Sequence, residues 1–176
     1  MSIWQKISDF LTPDSSRPTN DPNVTRQDQM SDFSQVLDVK NIVVDVQVKS
    51  RNELLKYLAT LAYANDSKVD IEALYGKYLV RESDASTDVG AGVAMPHAQD
   101  ESVSKLTMLV VKLAQPIEWE KGVEVQTVIS LVIPDPEKNY AHVPYMSSIA
   151  RLLLKKGFVP ALNRASTPEK ISKLFI

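Results

Sequence analysis

The sequence predicts an α/β domain built on a mixed sheet, and three observations carry that prediction. Apolar runs rich in β-branched residues recur at 41–48 (NIVVDVQV), 106–113 (LTMLVVKL) and 125–133 (VQTVISLVI). Between and after them lie segments with apolar residues at helical spacing, each opened by capping residues. The chain has 176 residues, 44% of them hydrophobic, which suffices for one substantial core, with or without a tail.

In chain order, residues 1–11 (MSIWQKISDFL) set Ile3, Trp4, Ile7, Phe10 and Leu11 near helical spacing. That predicts a short amphipathic helix, either packed on its own domain or serving as a docking or membrane-surface peptide. Residues 12–32 contain three prolines and are otherwise mostly polar, so they read as a flexible linker. The globular domain is expected from Phe33 to residue 176. After the strand at 41–48, Ser50-Arg-Asn-Glu53 forms a capping box for a helix bearing Leu54, Leu55, Leu58 and Leu61. Asp70 caps a second helix, with Ile71, Leu74, Tyr75 and Tyr78 on one face, ending near Arg81-Glu82. A short strand at 93–95 follows the glycines and leads into Pro96-His97. The runs at 106–113 and 125–133 read as central strands. Residues 115–122, with Pro116 and Trp119, read as a connection or an edge segment. A helix is expected from about His142 to Lys156, with Pro144 in its first turn and Gly157 ending it. Thr167-Pro168 caps the last helix.

Composition removes several classes of function. The net charge of −2 argues against nucleic-acid binding, which favours a basic stripe. The absence of cysteine excludes a disulfide framework, a thiolate metal site and a catalytic thiol within the chain. No run approaches the roughly 18 apolar residues of a membrane span, and the N-terminus lacks a secretory h-region. The expectation is a cytoplasmic protein without stable membrane insertion.

The stretch 82–98 (ESDASTDVGAGVAMPHA) is where chemistry concentrates. Pro96 fixes its own φ and restricts Met95, so His97 stands on a stiff support. Gly90 and Gly92 permit a positive φ or a close approach. The second histidine, His142, falls at a predicted helix start, where N–H donors favour an anion. Arg81 offers a fork of donors suited to phosphate, and Ser86 and Thr87 add hydroxyls. Together these are parts of a site that takes a phosphoryl group onto an imidazole nitrogen. Two ordinary structural histidines, or a zinc site from His97, His142 and a carboxylate, remain alternatives on the residues alone. The run GAGVAMP lacks the ending of a Walker loop and the strand–helix setting of a dinucleotide fingerprint. Ala91, Val93 and Met95 are candidates for an apolar docking surface or for ordinary core.

Glu82, six residues, Val89-Gly90, two residues and Val93-Ala94-Met95-Pro96-His97-Ala98 resemble the phosphorylation-site signature of the sugar phosphotransferase system enzyme IIA family, mannitol/fructose type. The resemblance continues through LVIPDPEKNYAHVPYMSSIARLL, where a strand ends in a proline turn and a helix opens on His142. It extends to the closing TPEKISKLF. The resemblance implies a single domain with helices on both sides of the sheet, and phosphate accepted on His97 from the phosphocarrier HPr. It implies His142 as second active-site histidine and Arg81, beside Glu82, as active-site arginine. Ser86, Thr87, Glu82, Gly90 and Gly92 would support the phosphate. It further implies transfer without metal or cofactor, to a cysteine of a IIB component on a separate chain. Two departures stand out. Ala98-Gln99 replaces the usual glycine and basic residue, and Asp88 replaces the glycine of Ser-Thr-Gly. Two uses of the same chemistry follow from the resemblance: sugar or polyol uptake through IIB, or a nitrogen-type regulatory phosphoprotein that controls partners by its phosphorylation state.

Overall fold

The computed structural model describes residues 5–7 and 30–176. Most of the predicted N-terminal helix and residues 12–29 of the predicted linker lie outside the described residues. Residues 5–7 are helical, with Ile7 buried in the core.

Among the described residues six strands form one mixed sheet: β1 (Ile42–Val46), β2 (Asp88–Gly90), β3 (Val93–Ala94), β4 (His97–Asp100), β5 (Thr107–Glu120) and β6 (Val123–Pro134). Their order is β1-β5-β6-β3-β2, with β4 also pairing with β6. The two longest apolar runs are the paired central strands β5 and β6, antiparallel and joined at Lys121-Gly122, where Gly122 takes φ +80°. β1 lies parallel to β5, while β3 and β4 lie parallel to β6. Strands this apolar are buried on both faces, and helices cover each.

On one face lie α1 (Arg51–Asn65) and α2 (Ile71–Asp84). Leu54, Leu55, Leu58, Leu74 and Tyr78 pack there with Leu109, Val111, Val128 and Val132. Ser50 Oγ accepts from the Glu53 amide at 3.1 Å and Asp70 Oδ1 from the Ala73 amide at 3.0 Å, so both expected caps form. The Tyr78 hydroxyl and Ser130 Oγ, 2.7 Å apart and buried, tie α2 to β6. The other face carries α3 (His142–Leu154), α4 (Phe158–Arg164) and α5 (Pro168–Lys173). Their Ile149, Leu153, Leu162 and Ile171 join Met108, Val110, Ile129 and Leu131. The domain therefore has the α/β architecture, with helices on both sides, that the sequence predicts.

Three points of the sequence reading are completed by the structure. Of the two readings of residues 115–120, the edge segment holds and the connection does not: β5 continues through Pro116 and is paired there with β6 alone. The register shifts between Lys112 and Ile117, and that irregularity accommodates a residue with no N–H to give the ladder. Beyond it the strand alternates, with Ile117 and Trp119 buried and Glu118 and Glu120 exposed. Secondly, α4 is a helix of 7 residues that no pattern announced. Its terminal carbonyls are satisfied from the sheet: Lys112 Nζ donates to Leu162, Asn163 and Ala165 oxygens at 2.9, 3.0 and 2.6 Å. Thirdly, Val93 and Met95 are 0% and 3% exposed, so they are core and not docking surface; Ala91 alone of that trio is exposed.

Candidate functional site

Pro96 is what brings His97 to an edge of the sheet. Val93 and Ala94 pair with Thr127 and Val128, pairing lapses at Met95-Pro96, and His97 resumes it opposite Leu131 without a change of register. Just before His97, β2 and β3 pair antiparallel in a hairpin. It turns through Gly90, Ala91 and Gly92, all with positive φ (89°, 54° and 76°). A Cβ on Gly92 would meet nothing within 4 Å, so its conformation and not a close approach calls for glycine.

The last turn of α2 then places Arg81 against the ring. Arg81 Nε donates to His97 Nε2 at 3.1 Å, and Arg81 Nη1 donates to the Ala85 carbonyl at 2.8 Å, which anchors the guanidinium. On the other side of the ring, Nδ1 lies 3.3 Å from the Met95 carbonyl. A carbonyl only accepts, so the proton sits on Nδ1 and the lone pair on Nε2. Burial, followed by the Arg81 charge, pushes the His97 pKa from 6.5 down to about 4; the charge of His142 acts in the same direction and the Met95 bond against it. His97 is therefore a neutral imidazole at neutral pH, with a defined tautomer.

His142 opens α3, as the sequence predicts, but the anion expected at that helix start is already present. Glu137, its side chain 6% exposed, accepts from the His142 amide at 3.1 Å and from His142 Nδ1 at 2.7 and 2.8 Å. The Val143 amide donates to Tyr140 O at 3.0 Å, and Pro144 has no N–H. The backbone of the first turn is thus spent, and a bound phosphate would depend on side chains. Glu137 escaped the sequence reading because EKNYA reads as a polar connector. The available signal was a carboxylate five residues before a histidine at a helix start.

Other candidates face inward. Thr87 is fully buried, its hydroxyl donating to Glu82 Oε2 at 2.7 Å and its amide to Glu82 Oε1 at 2.8 Å. Neither Thr87 nor Glu82 offers a group to a phosphate; they lock the end of α2 to β2. Trp119 Nε1 adds a third donor to Glu82 at 2.7 Å. Ser86 is half-buried and its Oγ accepts from the Asp88 amide at 3.3 Å. Of the departures, Asp88 is buried and ion-paired with Lys6, so its charge is balanced. The Gln99 amide donates to Pro134 O at 3.0 Å, and Ala98 packs into the core. Among the described residues no cluster of three or more carboxylates and histidines gathers to hold a metal, and no helix is long and apolar enough to cross a membrane.

Residues 35–176 match the model of a family described as "Phosphoenolpyruvate-dependent sugar phosphotransferase system, EIIA 2". The chain is 29% identical over 135 residues to a PTS system fructose-like EIIA component of Escherichia coli, covering 76% of this chain and 90% of that protein. It spans only 17% of the length of the multiphosphoryl transfer protein of Shigella flexneri, which it also matches. Its fold is that of the nitrogen regulatory protein IIA-Ntr of Neisseria meningitidis, with a TM-score of 0.75 at 23% identity, over 83% of this chain and all of that one. Mannitol IIA in complex with phosphorylated mannitol IIB, from E. coli, gives a TM-score of 0.67 at 17% identity, over 79% of this chain and 96% of the other.

Proposed function

Because the chain belongs to the phosphoenolpyruvate-dependent sugar phosphotransferase system EIIA 2 family, we propose that it is a cytoplasmic phosphocarrier. His97 takes a phosphoryl group from phospho-HPr and passes it to a cysteine of a IIB component on a separate chain, for uptake of a sugar or polyol. The observation that carries this reading is the His97 ring itself: its proton is on Nδ1 toward Met95, and its Nε2 lone pair faces Arg81.

In the proposed step, the Nε2 lone pair attacks phosphorus in line as the donor's P–N bond breaks, and the departing imidazole keeps that electron pair. The Nδ1 proton stays on the ring throughout, so the Met95 carbonyl sits beside the positive charge that develops there. Arg81 exchanges its bond to Nε2 for the equatorial phosphoryl oxygens. Glu137 accepts from His142 Nδ1 and fixes that ring; in its imidazolium form His142 also donates from Nε2 to one of those oxygens. Val80 and Tyr140, next in sequence to Arg81 and Ala141, are each 61% exposed, and they give an arriving partner apolar surface with which to exclude water. Transfer onward to a thiolate reverses the same bond changes.

A second reading keeps this chemistry and changes its use. In a nitrogen-type regulatory protein, phosphorylation of His97 alters which protein is bound and no sugar is modified. The meningococcal fold neighbour is named a nitrogen regulatory protein. Incubation with phospho-HPr and then with cysteine-bearing IIB components separates the two. Passage of the label to IIB supports uptake. A label that stays on this chain and changes its capture of another protein supports regulation.

A further inference from the structure

We propose that Trp119, remote in sequence and on a different strand, is a positioning residue for the His97 site, acting on Arg81 through Glu82 and the turn that follows α2. The inference rests on the phosphocarrier reading for its kinetic consequence, but its structural part stands alone.

The Glu82 carboxylate is 5% exposed and satisfied by three donors: the Thr87 amide, the Thr87 hydroxyl and the Trp119 indole N–H. A buried carboxylate tolerates burial only with such donors, and hydrogen bonds to it are stronger than neutral ones. Two of the three come from Thr87, the residue just before β2, and the third reaches across from the outer part of β5. Glu82 therefore joins the end of α2 to both. Between Glu82 and Thr87 lies the turn whose Ala85 carbonyl anchors Arg81 Nη1 at 2.8 Å, while Arg81 Nε reaches His97 Nε2 at 3.1 Å. Glu82 fixes the turn, the turn fixes the guanidinium, and the guanidinium meets the ring. Trp119 itself is 2% exposed, and its carbonyl accepts from Arg51 Nη1 at 3.2 Å. The backbone there is held independently of the indole N–H, so replacing that group is a local change. This also gives the extension of β5 past Pro116 a role that its burial alone does not.

The test is Trp119→Phe in the full-length protein, which keeps an aromatic ring and removes the N–H. The first readout is solvent exchange of the Arg81 Nε proton by NMR, which needs no phosphoryl donor. The second is the rate constant and KM for labelling by phospho-HPr. Loss of one charge-assisted hydrogen bond is expected to speed exchange about tenfold and to slow labelling about tenfold, with KM unchanged. A folded variant with parental exchange at Arg81 overturns the proposal, whatever its thermal stability. Should Trp119→Phe not fold, Thr87→Val removes another donor to the same carboxylate and is read by the same criterion. Thr87→Ser restores that donor and is expected to restore slow exchange; if it exchanges like Thr87→Val, the carboxylate is not the link. Altered exchange in a protein that HPr never labels upholds the positioning and refutes the phosphocarrier reading.

Discussion

Acid titration of stability reads the state of His97 directly. An imidazole in the unfolded chain takes its proton near 6.5, whereas the native ring is held to about 4 by burial and by Arg81. Above the upper value both states are neutral and the group contributes nothing to the pH dependence. Between the two values the unfolded chain binds a proton that the native ring refuses, so acidification drains stability; below the lower value both are charged and the loss stops. At about 1.4 kcal/mol per pH unit, that interval is worth about 3 kcal/mol. His97→Gln removes the titrating group and keeps a polar side chain. Urea unfolding of both proteins, in steps from about pH 7.5 to about pH 3.5, isolates the term as the difference between their free energies. The parent is expected to lose about 3 kcal/mol more than the variant across that range. Parallel curves would refute the reasoning, because the native ring would then titrate as it does in the unfolded chain.

Three further outcomes are expected. Arg81→Gln removes the positive charge and the fork while burial remains, so the His97 pKa rises from about 4 but stays below 6.5 in an NMR titration, and labelling by phospho-HPr slows at least about tenfold. Glu137→Gln leaves the shape of the His142 contact but not its charge. Rapid-quench transfer should slow about tenfold, and α3 should lose about 1 kcal/mol of support at its start in chemical denaturation. Lys6→Ala leaves the Asp88 carboxylate buried without its cation, costing about 1–3 kcal/mol of stability. Asp88→Asn in the Lys6→Ala background should recover most of that loss, and failure to recover it would separate the two residues.

What the sequence could reveal followed the range of its signals. Periodicity exposed β5, β6, α1 and α2, because long apolar patterns with caps are local facts. The outer half of β5 was hidden by Pro116, which argues against a strand until a bulge is known to absorb it. The helix α4 was too short to show a period, and its stability comes from Lys112, distant in sequence. At the site, residue types near the glycines suggested phosphate chemistry, and the fold brings Arg81 to His97 across 16 positions. Direction was not legible: Thr87 and Ser86 look equivalent in sequence, yet Thr87 turns inward to Glu82. The free N–H groups expected before α3 were likewise lost to Glu137 and Pro144, a matter of side-chain reach and not of composition.

The central claim concerns one nitrogen, and NMR of the labelled protein addresses it. After reaction with phospho-HPr, correlation of phosphorus with the imidazole resonances is expected to place the phosphoryl group on Nε2 of His97. His97→Ala should take no label, while His142→Ala is labelled more slowly. A phosphoryl group found on Nδ1, on His142 or on any other residue would contradict the account.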